Sequence, residues 1–176
     1  MANWFSTENR LGVTSLVGVD STAVDNLTTF NRYPIGTIVR GYDSTLGGGE
    51  FIYLQGVANN AIGLVVSFNA STGAVTLLPS TANLGTPVAI SLAANTATTN
   101  FSWYQIAGLA TVLKSAVAVN PQAKVYISGT TGRLMPTSAS GKQILGAKFA
   151  NLTTVTSTTS TVTVLLDRPS AQGQIT

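Results

Sequence analysis

Long uncharged stretches dominate this sequence. No Asp, Glu, Lys or Arg occurs in residues 51–113, and residues 149–166 form a second uncharged stretch. Charged residues make up only 9% of the chain, against about 25% in a typical soluble domain. We interpret much of this surface as facing other protein subunits, because a soluble monomer ordinarily keeps charges dispersed for solubility. The alternative interpretation is a β domain that is solvated by the hydroxyls and amides of Thr, Ser and Asn.

Alternating residues within the first uncharged stretch predict β-strands. In residues 46–58 (LGGGEFIYLQGVA), Phe51 and Tyr53 would lie on one face of a strand and the aliphatic residues that alternate with them on the other. A similar aromatic segment, FSWYQIAGLA, follows at residues 101–110. Short apolar segments with turn signals at intervals of about 8–12 residues continue along the chain. The pattern predicts an all-β domain, either a β-barrel or a β-sandwich.

The chain divides into an arm, a domain and a tail. We predict residues 1–33 as an N-terminal extended arm, residues 34–169 as the β domain and residues 170–176 as a short tail. Pro34 suits the first residue of a strand, where its missing N–H does no harm. Within the arm, the polar residues 20–30 could hold a capped helical turn.

The arm begins with two aromatic residues, Trp4 and Phe5. An exposed aromatic pair near a chain end is unfavourable in water, so we expect it to dock on protein. One hypothesis is that the pair docks on its own domain, and the other is that the arm packs on a neighbouring subunit. Trp4 and Phe5 are therefore candidate interface residues.

An internal duplication is a further hypothesis. The segment FIYLQGVA aligns with WYQIAGLA, which matches Gly56 to Gly108. A Thr-Gly turn and then a proline follow each segment. In this hypothesis residues 47–103 and 104–169 each supply half of a barrel, and the two aromatic strands occupy equivalent places. The alternative is chance similarity, which arises easily in β sequence of low charge.

The sequence offers few groups for catalysis. It contains no His and no Cys, which excludes Ser–His–Asp and Cys–His sites and zinc sites built from those residues. Asp43 and Glu50 flank a glycine-rich segment, and we interpret Asp43 as a loop cap and Glu50 as a strand-edge charge. A Ser–Lys dyad that uses Lys114 stays open, although nothing in the sequence selects it. We therefore predict no enzymatic activity, with no catalytic residue, cofactor or metal.

Three consecutive glycines, Gly47, Gly48 and Gly49, precede the first aromatic strand. A phosphate-binding loop is excluded because no GxxxxGK[ST] motif occurs and the glycines lead into a strand instead of a helix. We expect a loop whose backbone passes close to a neighbouring subunit, since glycine has no side chain to keep the two apart. The three glycines are candidate interface residues together with Trp4 and Phe5.

Cationic residues are scattered singly along the chain. We interpret them as partner-facing or solvating charges and predict no direct contact with nucleic acid, which requires a stripe of Lys and Arg. Lys142 and Lys148, with Arg133, could gather at one end of the second half. No apolar run approaches the ~18–20 residues that span a bilayer, and the first residues lack the pattern of a secretory signal. We therefore expect a protein made without Sec-type export that does not enter a membrane.

The order of these segments resembles the capsid decoration proteins, also called cement proteins, of tailed bacteriophages. The similarity covers residues 36–168 and rests on LGGGEFIYLQGVA, NFSWYQIAGLA and the hairpin VYISGTTGRL in that order. Its most specific part is the phrase aromatic–aromatic–Gln–hydrophobic–x–Gly–x–Ala. The similarity includes no catalytic motif and does not extend to the arm.

The resemblance implies a virion protein that is made in the host cytoplasm and lies on the outer surface of an icosahedral capsid. Such a protein would bind the major capsid protein, form a homo-oligomer, often a trimer, and bridge capsid subunits against the pressure of packaged DNA. Many copies would make weak single contacts strong in sum, and Trp4 and Phe5 would anchor the arm. The alternative is another phage structural or host-binding module, such as a fibre.

Overall fold

Twelve β-strands form the regular structure in the part of the chain that this computed structural model describes, residues 4–7, 15–20, 33–95 and 97–174. They are β1 (Phe5–Ser6), β2 (Val19–Asp20), β3 (Ile38–Asp43), β4 (Gly47–Gln55), β5 (Val65–Phe68), β6 (Val75–Leu77), β7 (Val88–Ser91), β8 (Phe101–Leu113), β9 (Lys124–Ile127), β10 (Leu134–Met135), β11 (Gln143–Phe149) and β12 (Thr161–Ala171). Among the described residues there is no helix long and apolar enough to cross a membrane. The helical turn predicted within residues 20–30 lies outside these ranges, apart from Asp20 in β2.

The described strands belong to one antiparallel sheet that does not close on itself. Its main path is β1-β3-β4-β8-β12-β11-β9-β10, while β2 and β7 also pair with β8, and the hairpin β5–β6 attaches through β7. Side chains of β5 and β7 pack against those of β8 to β12 in one buried cluster, which gives the domain a sandwich-like arrangement. The predicted all-β fold is confirmed, as a sandwich-like domain with an open sheet.

The second half of β4, from Phe51 to Leu54, is buried on both faces, which explains its dense apolar sequence. Phe51 and Tyr53 enter a cluster with Trp103, whereas Ile52 and Leu54 enter a separate cluster. A strand alternates its side chains between two faces, and both faces of this half of β4 are covered by other parts of the domain. The predicted alternation is therefore confirmed, and Phe51 and Tyr53 lie in the core.

The longest strand, β8, is shared between two neighbours. Its first part pairs with β4 and its second part with β12, and Ala107 lies opposite both Glu50 and Asp167. Just before this point Ile106 is an extra residue in β8, because the register shifts between Glu50 and Phe51. A bulge of this kind bends a strand and increases the local twist of its sheet. In this way β8 connects the β3–β4 side of the molecule to the β11–β9 side.

The described parts of the predicted arm lie on the domain itself. β1 pairs with β3, and Trp4 is buried with its ring centre 4.9 Å from that of Phe51. β2 pairs with the start of β8, and the Tyr53 hydroxyl donates a hydrogen bond to Asp20 Oδ2 at 2.8 Å. For Trp4, these contacts agree with the hypothesis of docking on its own domain, whereas the Phe5 side chain is exposed. At the other end, β12 continues to Ala171, into the segment predicted as a tail.

The strand pairings have a repeating order. Each of several strand pairs recurs four strands later in the chain. The pair β3–β4 is followed by the pair β7–β8 and then by the pair β11–β12. In the same way, β4–β8 is followed by β8–β12, β5–β6 by β9–β10, and β5–β7 by β9–β11. Duplicated halves would have this order. The duplication stays a prediction, since neighbouring strands joined by short connections reach similar orders independently.

Candidate functional site

The three predicted interface glycines form the start of β4. Gly48 lies opposite Tyr42 of β3 and Gly49 opposite Gly41, so the expected loop is shorter than the sequence indicated. The turn that precedes it is closed by Asp43, whose Oδ1 accepts hydrogen bonds from the backbone N–H groups of residues 45 and 46, both at 2.8 Å. The capping role predicted for Asp43 is confirmed, and the glycines are strand residues.

The absence of side chains at Gly48 and Gly49 has two different consequences. A Cβ on Gly49 would lie 2.8 Å from the carbonyl oxygen of Ala107, so glycine here allows β4 and β8 to approach closely. A Cβ on Gly48 would meet no heavy atom within 4 Å, and Gly48 is exposed. Gly49 therefore serves the fold, while Gly48 leaves open space on the outer face of the sheet.

This open space is part of a groove of about 520 Å³ across the outer face of the sheet. It is lined by residues of β3, β4, β8 and β12 and by the residue that follows β1, namely Thr7, Arg40, Gly41, Tyr42, Gly48, Gly49, Glu50, Ala107, Asp167 and Arg168. Four of these residues, Gly41, Gly48, Gly49 and Ala107, have no side chain larger than a methyl group. The groove is therefore open at these positions to the close approach of another chain.

An ion network stands at one end of the groove. Glu50 Oε2 accepts hydrogen bonds from Arg168 Nε at 3.1 Å and from Arg168 Nη2 at 2.9 Å, and Glu50 Oε1 lies 3.7 Å from Arg40 Nε. Both arginine side chains are largely exposed, so the network adds at most about 1 kcal/mol to stability. It fixes the side chains at the rim, and it occupies both carboxylate oxygens of Glu50 with guanidinium groups.

An exposed aromatic pair stands beside the groove. Phe5 of β1 lies opposite Tyr42 of β3, and the two side chains are 54% and 52% exposed. Ile38 is on the same face of β3 and is also exposed. We name the three side chains Phe5, Ile38 and Tyr42 the aromatic edge. The predicted pair is therefore divided, because Trp4 points into the core and Phe5 points outward.

The most deeply buried cation, Lys114, is held by backbone groups. Its Nζ donates hydrogen bonds to the carbonyl oxygens of Val117 at 2.8 Å and Ser115 at 3.2 Å, and Arg133 Nη1 donates to the Lys114 carbonyl oxygen at 3.0 Å. Burial lowers the pKa of Lys114 by desolvation of the charged ammonium. The Ser115 hydroxyl donates to the carbonyl oxygen of Leu134 at 3.4 Å. Lys114 is thus bonded to carbonyl groups and not to a serine hydroxyl.

The described residues offer no metal centre. Within ranges 4–7, 15–20, 33–95 and 97–174, no group of three or more His, Cys, Asp or Glu side chains lies close enough to hold an ion. A second groove of about 510 Å³ is lined by β8, β12 and the loop before β12, and its side chains are mostly threonines. Two of these hydroxyls pair with each other, in the 3.3 Å contact between Thr156 Oγ1 and Thr159 Oγ1.

Sequence reasoning missed part of the groove. Tyr42 and Arg40 alternate with buried residues in β3, and that alternation was a usable signal for an outward face. Arg168 had no such signal, because it lies 118 residues from Glu50 in the chain.

No family model and no curated protein sequence matches this chain. The groove and the aromatic edge are therefore interpreted from their own geometry and chemistry.

Proposed function

We propose that this protein is a structural virion protein that binds the outer surface of an icosahedral phage capsid and bridges major capsid protein subunits. The observation that carries the proposal is the aromatic edge, where Phe5 and Tyr42 lie side by side with about half of each side chain in solvent. Buried aromatic side chains supply much of the energy of protein interfaces. An exposed pair beside an open groove is therefore suited to a protein partner.

The exposed halves of Phe5 and Tyr42 set the strength of a single contact. An aromatic side chain buries about 150–250 Å² when fully covered, so covering the two exposed halves removes about that area in total. At about 25 cal/mol per Å² this gives roughly 4–6 kcal/mol before the entropy of association is subtracted. One such contact is weak, and many copies on a symmetric shell make the attachment strong.

The surroundings of the aromatic edge favour a rigid anchor. Trp4 is buried next to Phe5 in the chain and packs on Phe51, which fixes the short strand β1 on the domain. A side chain on a fixed backbone loses little conformational freedom when it binds. The proposed role is non-catalytic, and the proposed location is the outside of the virion. The trimeric state follows from the resemblance to decoration proteins and belongs to the same proposal.

Binding to shells that lack this protein tests the proposal. Purified protein is mixed with such shells at micromolar concentration, and co-sedimentation and heat resistance of the shells are measured. The wild type should bind saturably and raise the temperature at which the shells break. Phe5→Ser should weaken binding, because Phe5 is half exposed and is expected to fill a partner pocket. Ile62→Ser is the matched control, since Ile62 is an exposed apolar side chain outside the aromatic edge.

The outcomes separate the hypotheses. Wild-type protein that stays in solution would refute the capsid role, and binding to host cells instead would favour the host-binding alternative. Equal binding by Phe5→Ser and Ile62→Ser would leave a capsid protein whose anchor is elsewhere. A native mass measurement of the isolated protein tests the trimer.

A further inference from the structure

Four side chains on four neighbouring strands form a line across the outer face of the sheet. Leu109 of β8 lies opposite Leu165 of β12, Leu165 lies opposite Lys148 of β11, and Lys148 lies opposite Lys124 of β9. Leu165 is 41% exposed, both lysines are exposed, and Leu109 is half-buried. Cross-strand partners share one face of a sheet. We name these four side chains the leucine–lysine row.

The two lysines carry charge that the described part of the chain does not neutralise. Like charges directly opposite each other on neighbouring strands destabilise a sheet, and Lys124 and Lys148 have this arrangement. No Asp or Glu occurs in residues 51–166, and Asp167, which lies two residues from Leu165 on β12, forms no ion pair with either lysine. The ion pairs found among the described residues join Glu50 to arginines of the groove and involve neither lysine.

The charges of the groove, in contrast, are balanced. Two carboxylates, Glu50 and Asp167, line it together with two arginines, Arg40 and Arg168. In the leucine–lysine row no carboxylate balances the cations, and two leucines extend the row beside them. A surface that combines unbalanced cations with exposed apolar side chains is complementary to one that combines carboxylates with apolar side chains.

We propose that the leucine–lysine row is a second contact surface and that it binds an acidic strip of the capsid shell, in which carboxylates lie beside apolar side chains. This inference rests on the proposed function and names the chemistry of the partner. The row is continuous with the groove, because Leu109 and Leu165 lie two residues from Ala107 and Asp167, respectively, on the same outer face of β8 and β12. One shell surface can therefore cover the groove and the row together.

Protein fits the row better than nucleic acid does. A nucleic-acid site gains its affinity from several Lys or Arg contacts to phosphates, and the row contains two lysines. Leu109 and Leu165 would add nothing to contacts with a phosphate backbone, because such contacts are charged and hydrogen-bonded. Against an acidic protein surface the leucines bury apolar area while the lysines pair with carboxylates.

Charge reversal in the row tests the inference. Lys148→Glu and the control Lys142→Glu change the net charge equally, but Lys142 precedes β11 and is not part of the row. Binding of each variant to shells lacking this protein is measured by co-sedimentation at low and high salt. Lys148→Glu should bind about tenfold more weakly than wild type at low salt, because reversal replaces attraction by repulsion. Lys142→Glu should bind within about twofold of wild type, and the wild-type affinity should fall with added salt.

Two further arms fix the chemistry of the partner. In the first, the carboxylates of the shell are converted to neutral amides with a carbodiimide and ethanolamine, which should weaken wild-type binding about tenfold. In the second, a duplex DNA probe is titrated with the protein, and no binding that depends on Lys148 should appear. Circular dichroism checks that each variant is folded, and Lys148→Gln replaces Lys148→Glu if the latter does not fold.

Each outcome decides a different point. If the wild type does not bind untreated shells, the proposed function and the inference both fail. If the wild type binds but Lys148→Glu matches Lys142→Glu, or if amidated shells bind as well as untreated ones, the inference is wrong while the proposed function stands. Tighter binding to DNA through Lys148 would reassign the row to nucleic acid. A changed oligomer mass in Lys148→Glu, with the number of subunits bound per shell unaltered, would reassign the row to a contact between copies of this chain.

Discussion

Replacing Gly108 with alanine perturbs the point at which β8 passes from β4 to β12. Gly108 has a φ of +91° and lies opposite Gly49 of β4 and Leu166 of β12. A Cβ at this position would overlap the carbonyl oxygen of Gly48 and lie 3.0 Å from the Cα of Gly49. Alanine therefore meets both an unfavourable backbone conformation and a backbone too close to accommodate it.

The loss of stability in Gly108→Ala has two unfavourable contributions and one that offsets them. A non-glycine residue held at such a φ is strained by about 1–3 kcal/mol, and local separation of β4 from β8 costs about one backbone hydrogen bond, ~1 kcal/mol. Alanine offsets about 0.4–1 kcal/mol by restricting the unfolded chain. The net loss is about 1–3.6 kcal/mol. For 176 residues, an unfolding entropy of ~2.1 cal/mol/K per residue converts this loss to a Tm decrease of about 3–10 °C.

Thermal unfolding followed by circular dichroism measures the change, with Gly129→Ala as the control. Gly129 is exposed in the turn between β9 and β10, and a Cβ there would meet no heavy atom within 4 Å. Gly129→Ala should shift the free energy of unfolding by no more than about 0.5 kcal/mol. If Gly108→Ala unfolds at the same temperature as Gly129→Ala, the argument from the close approach of β4 and β8 is wrong.

Three further changes test other parts of the structure. Trp4→Ala should lower the free energy of unfolding by about 3–5 kcal/mol in urea titrations, because it empties a fully buried site. A loss below about 1 kcal/mol would show that Trp4 does not hold β1 on the domain. Arg168→Ala should lower the free energy of unfolding by at most about 1 kcal/mol, since the ion pair with Glu50 is exposed. Thermal unfolding at two salt concentrations measures this contribution, and a larger loss would contradict the prediction. Because burial lowers the pKa of Lys114, the unfolded chain binds more protons there than the folded protein at pH values between the folded and unfolded pKa, so stability should rise with pH as about 10.4, the ordinary lysine pKa, is approached. Lys114→Met should remove that rise in urea titrations carried out at increasing pH up to about 10, and parallel pH curves for the variant and the wild type would contradict this assignment.

The alternation of apolar residues was enough to predict the centre of the sheet. Phe51 and Tyr53 enter one buried cluster while Ile52 and Leu54 enter another, as the period of two requires. The aromatic segment at residues 101–110 became the start of β8, directly paired with β4. These features are local, because each depends on residues that are neighbours in the chain.

The site was less predictable because its parts are distant in the chain. The sequence could not tell which member of the Trp4-Phe5 pair points inward, since a two-residue strand shows no periodicity and the choice depends on packing against Phe51. The contact between Glu50 and Arg168 depends on both β4 and β12 pairing with β8. Sequence position gives no measure of such contacts, since they exist only after the whole sheet has assembled.

The position of β12 has a consequence for how the protein is made. β12 is the last described strand to leave the ribosome, yet it lies between β8 and β11 in the interior of the sheet. A nascent chain that ends before residue 161 therefore presents two long unpaired strand edges, and such edges promote association with other chains. Prematurely terminated chains would be a hazard to the cell that synthesises them. Recombinant production therefore requires that β12 is complete and free to insert. Fusion partners placed at the N-terminus meet this requirement, whereas truncations at the C-terminus that remove β12 do not.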